Sequence, residues 1–187
     1  MAVSLISLLD VAVVGFEGRL VEVGESDWAR PTPCSEWDVH YLVAHVVGGN
    51  RFAALVLDGA ASADALDEVM GRPQLGDAPV VDFETSAQEQ RRRFCRDGVL
   101  ARRVSHPTGD ISGERFLQMR VYDIALHTWD LGTALGGDPT LDGELVDTVL
   151  AFVDGLPAGM VGADAATVSE VKPSSGLERL LALTGRG

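Results

Sequence analysis

A chain of 187 residues, 46% of them hydrophobic, is long enough to fill one core and short for two, so a single domain over residues 1–187 is expected. The formal net charge of −13 leaves phosphate contacts without the clustered Lys and Arg they need, which excludes nucleic acid as a partner. No apolar run reaches membrane-spanning length, the two cysteines (Cys34 and Cys95) form no secreted framework, and the amino terminus lacks a positively charged n-region; the expected compartment is the cytoplasm.

In chain order, the first helix covers residues 4–23, where Leu5, Leu8, Leu9, Ala12, Val13, Phe16, Leu20 and Val23 recur with a 3.6-residue period that ends near Gly24. Pro31-Thr-Pro-Cys-Ser35 is a turn into a second helix, capped by either Ser35 or Asp38 and running to about Asp58. A weak helical turn near 62–70 and the loop Gly71–Gly76 lead to a third long helix at about 81–97, stopped by Gly98. On that helix Arg91, Arg92, Arg93 and Arg96 follow Glu84 and Glu89, which reads as a solvated face with local ion pairs. Residues 99–110 read as an extended stretch and a loop. A fourth helix spans 112–136 on Leu117, Val121, Ile124, Thr128, Leu131 and Leu135 and closes at Gly136-Gly137. Residues 141–155 form a fifth helix, Gly155 to Ser175 is too rich in Gly, Ala and Pro to assign, and a last helix at 176–184 packs Leu177, Leu180 and Leu181 back on the bundle. The fold class is all-α, a four-helix bundle with short additional C-terminal helices.

The chemistry-bearing residues lie on the second and fourth helices. Asp123 and His127 are four apart, so on a helix their Cβ atoms stand roughly 5–6 Å apart on one face and can chelate one ion. His45 shares a stripe with Tyr41, Leu42, Gly49, Phe52 and Val56, the face expected to point into a core, and supplies a third ligand. Two histidines and one carboxylate leave a coordination position open, the pattern of a catalytic rather than a structural ion, and Asp130 is placed to accept from an imidazole N–H. The competing reading makes Arg120, Asp123, His127 and Asp130 a solvated stripe and His45 a hydrogen-bonded core histidine. His40 and His106 read as surface residues, Cys34 as a small buried hydrophobe rather than an activated thiol, and Trp37 and Trp129 as packing.

The runs Thr32-Pro-Cys-Ser-Glu-Trp37, Leu42-Val-Ala-His45, Asp123-Ile-Ala-Leu-His127-Thr-Trp-Asp-Leu131 and Leu177 to Arg186 resemble, in order and spacing, the mycothiol-dependent maleylpyruvate isomerase family. That family belongs to the DinB-like metal-dependent bundles. The resemblance implies a DinB-like four-helix bundle whose divalent metal, zinc first with nickel or another ion as alternatives, is held by His45, Asp123 and His127. It further implies mycothiol or a similar thiol as cofactor, and an isomerase or thiol S-transferase acting on a small electrophilic substrate through a metal-bound thiolate. Thiolate addition to a conjugated double bond, rotation and departure give isomerisation, and addition without departure gives transfer. Arg51 and Arg120 are candidates to hold an anionic thiol or substrate. DinB-like relatives suggest a homodimer. The characterised isomerase pattern has Glu where this chain has the shorter Asp123. The rival reading is a non-catalytic metal-binding or small-molecule-binding bundle of the same fold.

Overall fold

The computed structural model describes residues 4–72, 74–137, 139–156 and 175–186. They fall into two compact units, Met1–Pro139 and Thr140–Gly187. The first unit contains α1 (Leu5–Leu20), α2 (Val39–Leu57), α3 (Ser62–Met70), α4 (Pro79–Phe94), a two-residue hairpin of β1 (Arg103–Val104) and β2 (Ile111–Ser112), and α5 (Gly113–Ala134).

Three of the long helices, α1, α2 and α5, start where a side chain can satisfy their unpaired N–H groups. The Ser4 hydroxyl accepts from Ser7 N–H at 3.1 Å, Asp38 from Tyr41 N–H at 2.8 Å, and Ser112 from Arg115 N–H at 3.1 Å. Asp38 rather than Ser35 therefore caps α2. The segment expected as a weak helical turn is the full helix α3, and α4 begins two residues early because Pro79 occupies its first turn, where a missing N–H costs nothing.

Four helices close the bundle: α1 packs on α4 and α5, α2 packs on the same two, and α3 lies against α2. The seam between α1 and α4 carries Phe16 against Phe83, ring centroids 4.8 Å apart and both fully buried. Phe116 meets Phe94 and Phe52 edge-on at the other side. The stretch read as extended is the antiparallel hairpin, pairing Arg103 with Ser112 and Val104 with Ile111. Its second strand runs directly into α5 through Gly113, whose N–H donates to Arg102 O at 2.8 Å. His106, expected on the surface, is half-buried with its ring 5.7 Å from Phe116. The arginines of α4 and of the turn after it do form ion pairs, Arg91 with Asp10 and Arg93 and Arg96 with Asp58.

The second unit holds α6 (Gly143–Asp154), which buries Leu145, Val146, Val149 and Val153, and α7 (Gly176–Leu183), which buries Leu180. These two helices pack on each other, with Arg179 and Asp154 paired at 2.8 Å. The unassigned stretch from Gly155 to Ser175 lies almost wholly outside the described residues. No described helix is long and apolar enough to cross a membrane.

Candidate metal centre

The site forms where α2 and α5 face each other near the amino-terminal end of α2. Asp38 starts α2 so that His45 falls two turns in, and the unbroken helical run of α5 puts Asp123 and His127 one turn apart. The three side chains converge. His45 Nε2 lies 3.3 Å and His127 Nε2 3.5 Å from Asp123 Oδ1, and all three donor atoms fall within 4.8 Å of one another. Metal–nitrogen and metal–oxygen bonds of roughly 2.0–2.1 Å at tetrahedral angles place donors about 3.3 Å apart, close to the separations of both imidazoles from Asp123 Oδ1, so the chemistry of the donor set suits a zinc-sized ion.

Both outer flanks of the set are fixed by buried charge. Asp130 is fully buried, and its Oδ2 accepts from His127 Nδ1 at 2.9 Å and from Cys34 Sγ at 3.2 Å. That bond turns Nε2 of His127 toward Asp123, the role a carboxylate plays behind a metal-binding imidazole. Asp130 thus stands on the far side of His127 and is not a fourth member of the set. On the other flank Arg120, 6% exposed, donates through Nη1 to Asp123 Oδ2 at 2.8 Å. Its remaining nitrogens are held by Asn50 Oδ1 at 2.8 Å, Gln90 Oε1 at 3.3 Å and Val46 O at 3.4 Å.

Charge follows this geometry. Burial alone pushes the Asp123 carboxyl up, but the Arg120 guanidinium and His127 pull it well below the usual carboxylate range. Burial pushes His127 down, whereas the Asp123 charge and hydrogen bonds with Asp123, Asp130 and Cys34 lift it well above the ordinary imidazole value. The site stabilises positive charge beside Asp123, which a proton on His127 supplies and a cation can replace.

Access comes from the His45 side, whose side chain is 37% exposed against 8% for His127. Trp37 covers the pair: its ring lies 4.8 Å from His45 and stacks on His127 at 5.5 Å, with Tyr41 beyond it at 4.7 Å. The loop that carries Trp37 is closed by Thr32 N–H to Trp37 O and Trp37 N–H to Cys34 O, and Glu36 sits at φ 67° in the left-handed region.

The predicted site residues separate accordingly. His45, Asp123 and His127 are brought together, and the α5 stripe that Asp123 and His127 share with Arg120 and Asp130 is buried at Arg120, His127 and Asp130 and half-buried at Asp123 rather than solvated. Arg120 is engaged in the protein interior and is not an open clamp for an anion. Arg51 also belongs elsewhere: it donates to the carbonyl and amide oxygens of Gln74 at 2.7 and 3.2 Å and pairs with Asp82 at 3.5 Å, fixing the segment between α3 and α4. Trp37, read as packing, lines the site, and Cys34, read as a small buried hydrophobe, is half-buried and donates to Asp130 behind His127. Asn50 and Gln90 are not recognisable from spacing, and the signal that points to them is an amide on a mostly apolar helix face, the mark of a buried polar network.

Residues 12–132 match the family model described as the mycothiol maleylpyruvate isomerase N-terminal domain. Two uncharacterized proteins from different strains of Mycobacterium tuberculosis are each 32% identical over 145 residues, covering 75% of this chain and 72% of theirs. Among solved structures, a mutant of the mycothiol-dependent maleylpyruvate isomerase superposes with a TM-score of 0.65 at 15% identity, over 88% of this chain and 71% of that one. A second structure of the mycothiol-dependent maleylpyruvate isomerase gives a TM-score of 0.60 at 14% identity, over 80% and 68%.

Proposed function

The chain belongs to the mycothiol maleylpyruvate isomerase N-terminal domain family, and on that premise we propose that it is a metal-dependent enzyme using mycothiol or a similar thiol to isomerise, or attach that thiol to, a small electrophilic substrate. The observation that carries the reading is the convergence of His45, Asp123 and His127, with each outer flank fixed by a buried charged partner. Zinc is the first choice for two imidazoles and one carboxylate oxygen. When bound, such a cation supplies a Lewis acid that keeps a coordinating thiol deprotonated, and so nucleophilic, at neutral pH.

The chain's own residues set the conditions for that chemistry. Asp130 holds His127 in one tautomer and one ring orientation. Arg120 fixes the far oxygen of Asp123. Trp37 shields the imidazoles from water on one face and offers a flat apolar wall, while the exposed edge of His45 marks the side from which a substrate arrives. A reducing cytoplasm suits a protein that works with a low-molecular-weight thiol, and the family likeness suggests a homodimer.

The test is elemental mass spectrometry on tag-free protein, followed by titration with mycothiol. About one divalent ion per chain is expected, lost in the His45→Ala, His127→Ala double variant, with thiol binding that depends on the ion. Metal uptake without thiol binding would instead support a non-catalytic metal-binding bundle. No uptake after reconstitution would overturn the reading.

A further inference from the structure

We infer that Arg120 is the positioning residue of the donor set: seated on Asn50 and Gln90 and admitted by the absent side chain of Gly49, it ties down one oxygen of Asp123 so that only Oδ1 is offered to an ion. The inference rests on the metal reading above and adds how the site fixes its donor number.

Arg120 and Asp123 are one turn apart on α5, and Arg120 Nη1 donates to Asp123 Oδ2 while Oδ1 faces both imidazoles. A guanidinium on a long side chain does not hold such a position unaided. Here Asn50 of α2 accepts from Nη2, Gln90 of α4 accepts from Nε, and Gln90 itself donates to the same Asn50 oxygen at 2.5 Å. Asn50 in turn donates to Ser86, whose hydroxyl donates to Phe83 O, so the clamp is anchored in α4 backbone. Three helices thus fix one carboxylate oxygen.

Gly49 completes the arrangement. A Cβ at this position would lie 2.9 Å from Arg120 Cζ and 3.0 Å from Nη2, and closer still to Nη1, the nitrogen that holds Asp123. Glycine inside a helix is less favourable than alanine, so its place on α2 is accounted for by the guanidinium it admits. The consequence is selectivity. A carboxylate limited to one oxygen, with two imidazoles, gives three protein donor atoms, which suits an ion of low coordination number such as zinc. It handicaps manganese, which prefers a shell built from oxygen donors.

The experiment uses Gly49→Ala and Arg120→Lys in the full chain. Gly49→Ala changes no donor and no hydrogen-bonding side chain, and the group it displaces is the tip of a flexible side chain, so the fold can accommodate it. Arg120→Lys keeps the charge but replaces a planar fork with a point donor that cannot span Asn50, Gln90 and Asp123 together. Zinc affinity is measured by chelator competition, coordination by the visible absorption of bound cobalt(II), preference by manganese competition, and folding by urea titration. Both variants are expected to bind zinc about 10–100-fold more weakly, as when a partner behind a ligand is lost. Cobalt absorption should weaken as a second oxygen joins, and the zinc-over-manganese preference should narrow. Unchanged zinc affinity and cobalt spectrum in either folded variant, with wild-type uptake still dependent on His45 and His127, would overturn this inference alone and leave Arg120 a structural ion pair. Absence of that His-dependent uptake in the wild type would overturn the metal reading and this inference with it.

Discussion

Asp130→Asn isolates the buried charge behind His127. Two donors on Asp130, His127 Nδ1 at 2.9 Å and Cys34 Sγ at 3.2 Å, use the same oxygen, Oδ2, so an asparagine oxygen in its place keeps these two contacts while the carboxylate charge is removed. A hydrogen bond to a charged group contributes about 1.5–3 kcal/mol and a neutral one about 0.5–1.5 kcal/mol, and the difference for the imidazole bond is about 1–1.5 kcal/mol. That corresponds to roughly tenfold in zinc affinity, the lower end of what such outer partners contribute. One opposing effect needs control. Asp130 also helps lift His127 above its ordinary value, so its removal lets the proton leave more readily and favours the ion at low pH. Chelator competition should therefore be run at a pH above the raised His127 value, where no proton competes, and the loss should be largest there. Unchanged affinity at alkaline pH in a variant with native near-UV dichroism would refute the assignment of Asp130 as the residue that orients His127.

Zinc itself should raise the unfolding free energy by about 2.7 kcal/mol at a free concentration a hundredfold above its dissociation constant, and the thermal shift should vanish in His45→Ala. Gly113→Ala should destabilise by about 1–3 kcal/mol in urea titration, because a Cβ there would fall 3.0 Å from the carbonyl carbon of Val99 and closer to its oxygen, backbone that cannot step aside. Asp58 ties the end of α2 to α4 through Arg93 at 2.8 Å and to the turn after α4 through Arg96 at 2.6 Å; slight burial pushes its carboxyl up, but those two guanidinium groups bring it below the ordinary carboxylate value. A depressed folded value means that the contribution is present at neutral pH and lost as pH falls through that value. With Asp58 39% exposed, Asp58→Asn should lose only about 0.5 kcal/mol at neutral pH, with the gap to wild type closing in acid; an equal gap at both pH values would show that charge is not its cause.

The helices were legible because their signals are local. The period of Leu8, Leu9, Ala12 and Phe16 fixes α1, and the i, i+4 spacing of Asp123 and His127 put both on one face before any tertiary contact was known. The boundary errors were local as well: Ser35 and Asp38 are equally good caps in sequence, and only the loop hydrogen bonds from Thr32 to Trp37 decide for Asp38. The place of Arg120 is not legible for a different reason. Its side chain is long enough to reach solvent or core, and the choice depends on Asn50 and Gln90, 70 and 30 residues away. Trp37 posed the same problem, since its place over the imidazoles follows from the fold of a short loop, not from helical spacing.

The buried polar seam also bears on why this bundle has the core it has. Asn50, Ser86, Gln90 and Arg120 occupy buried positions that aliphatic side chains would fill, and a buried ion pair seldom stabilises a fold more than well-packed hydrocarbon does. Among the described residues no buried side-chain nitrogen or oxygen is left without a partner, so the seam avoids the penalty of unsatisfied groups without becoming a source of excess stability. Its connections run in one direction: from α4 backbone through Ser86, Asn50, Gln90 and Arg120 to the oxygen of Asp123 that faces away from the imidazoles. A network built only for stability has no reason to end at the outer oxygen of a carboxylate whose inner oxygen meets two histidines. A network that fixes a donor atom does.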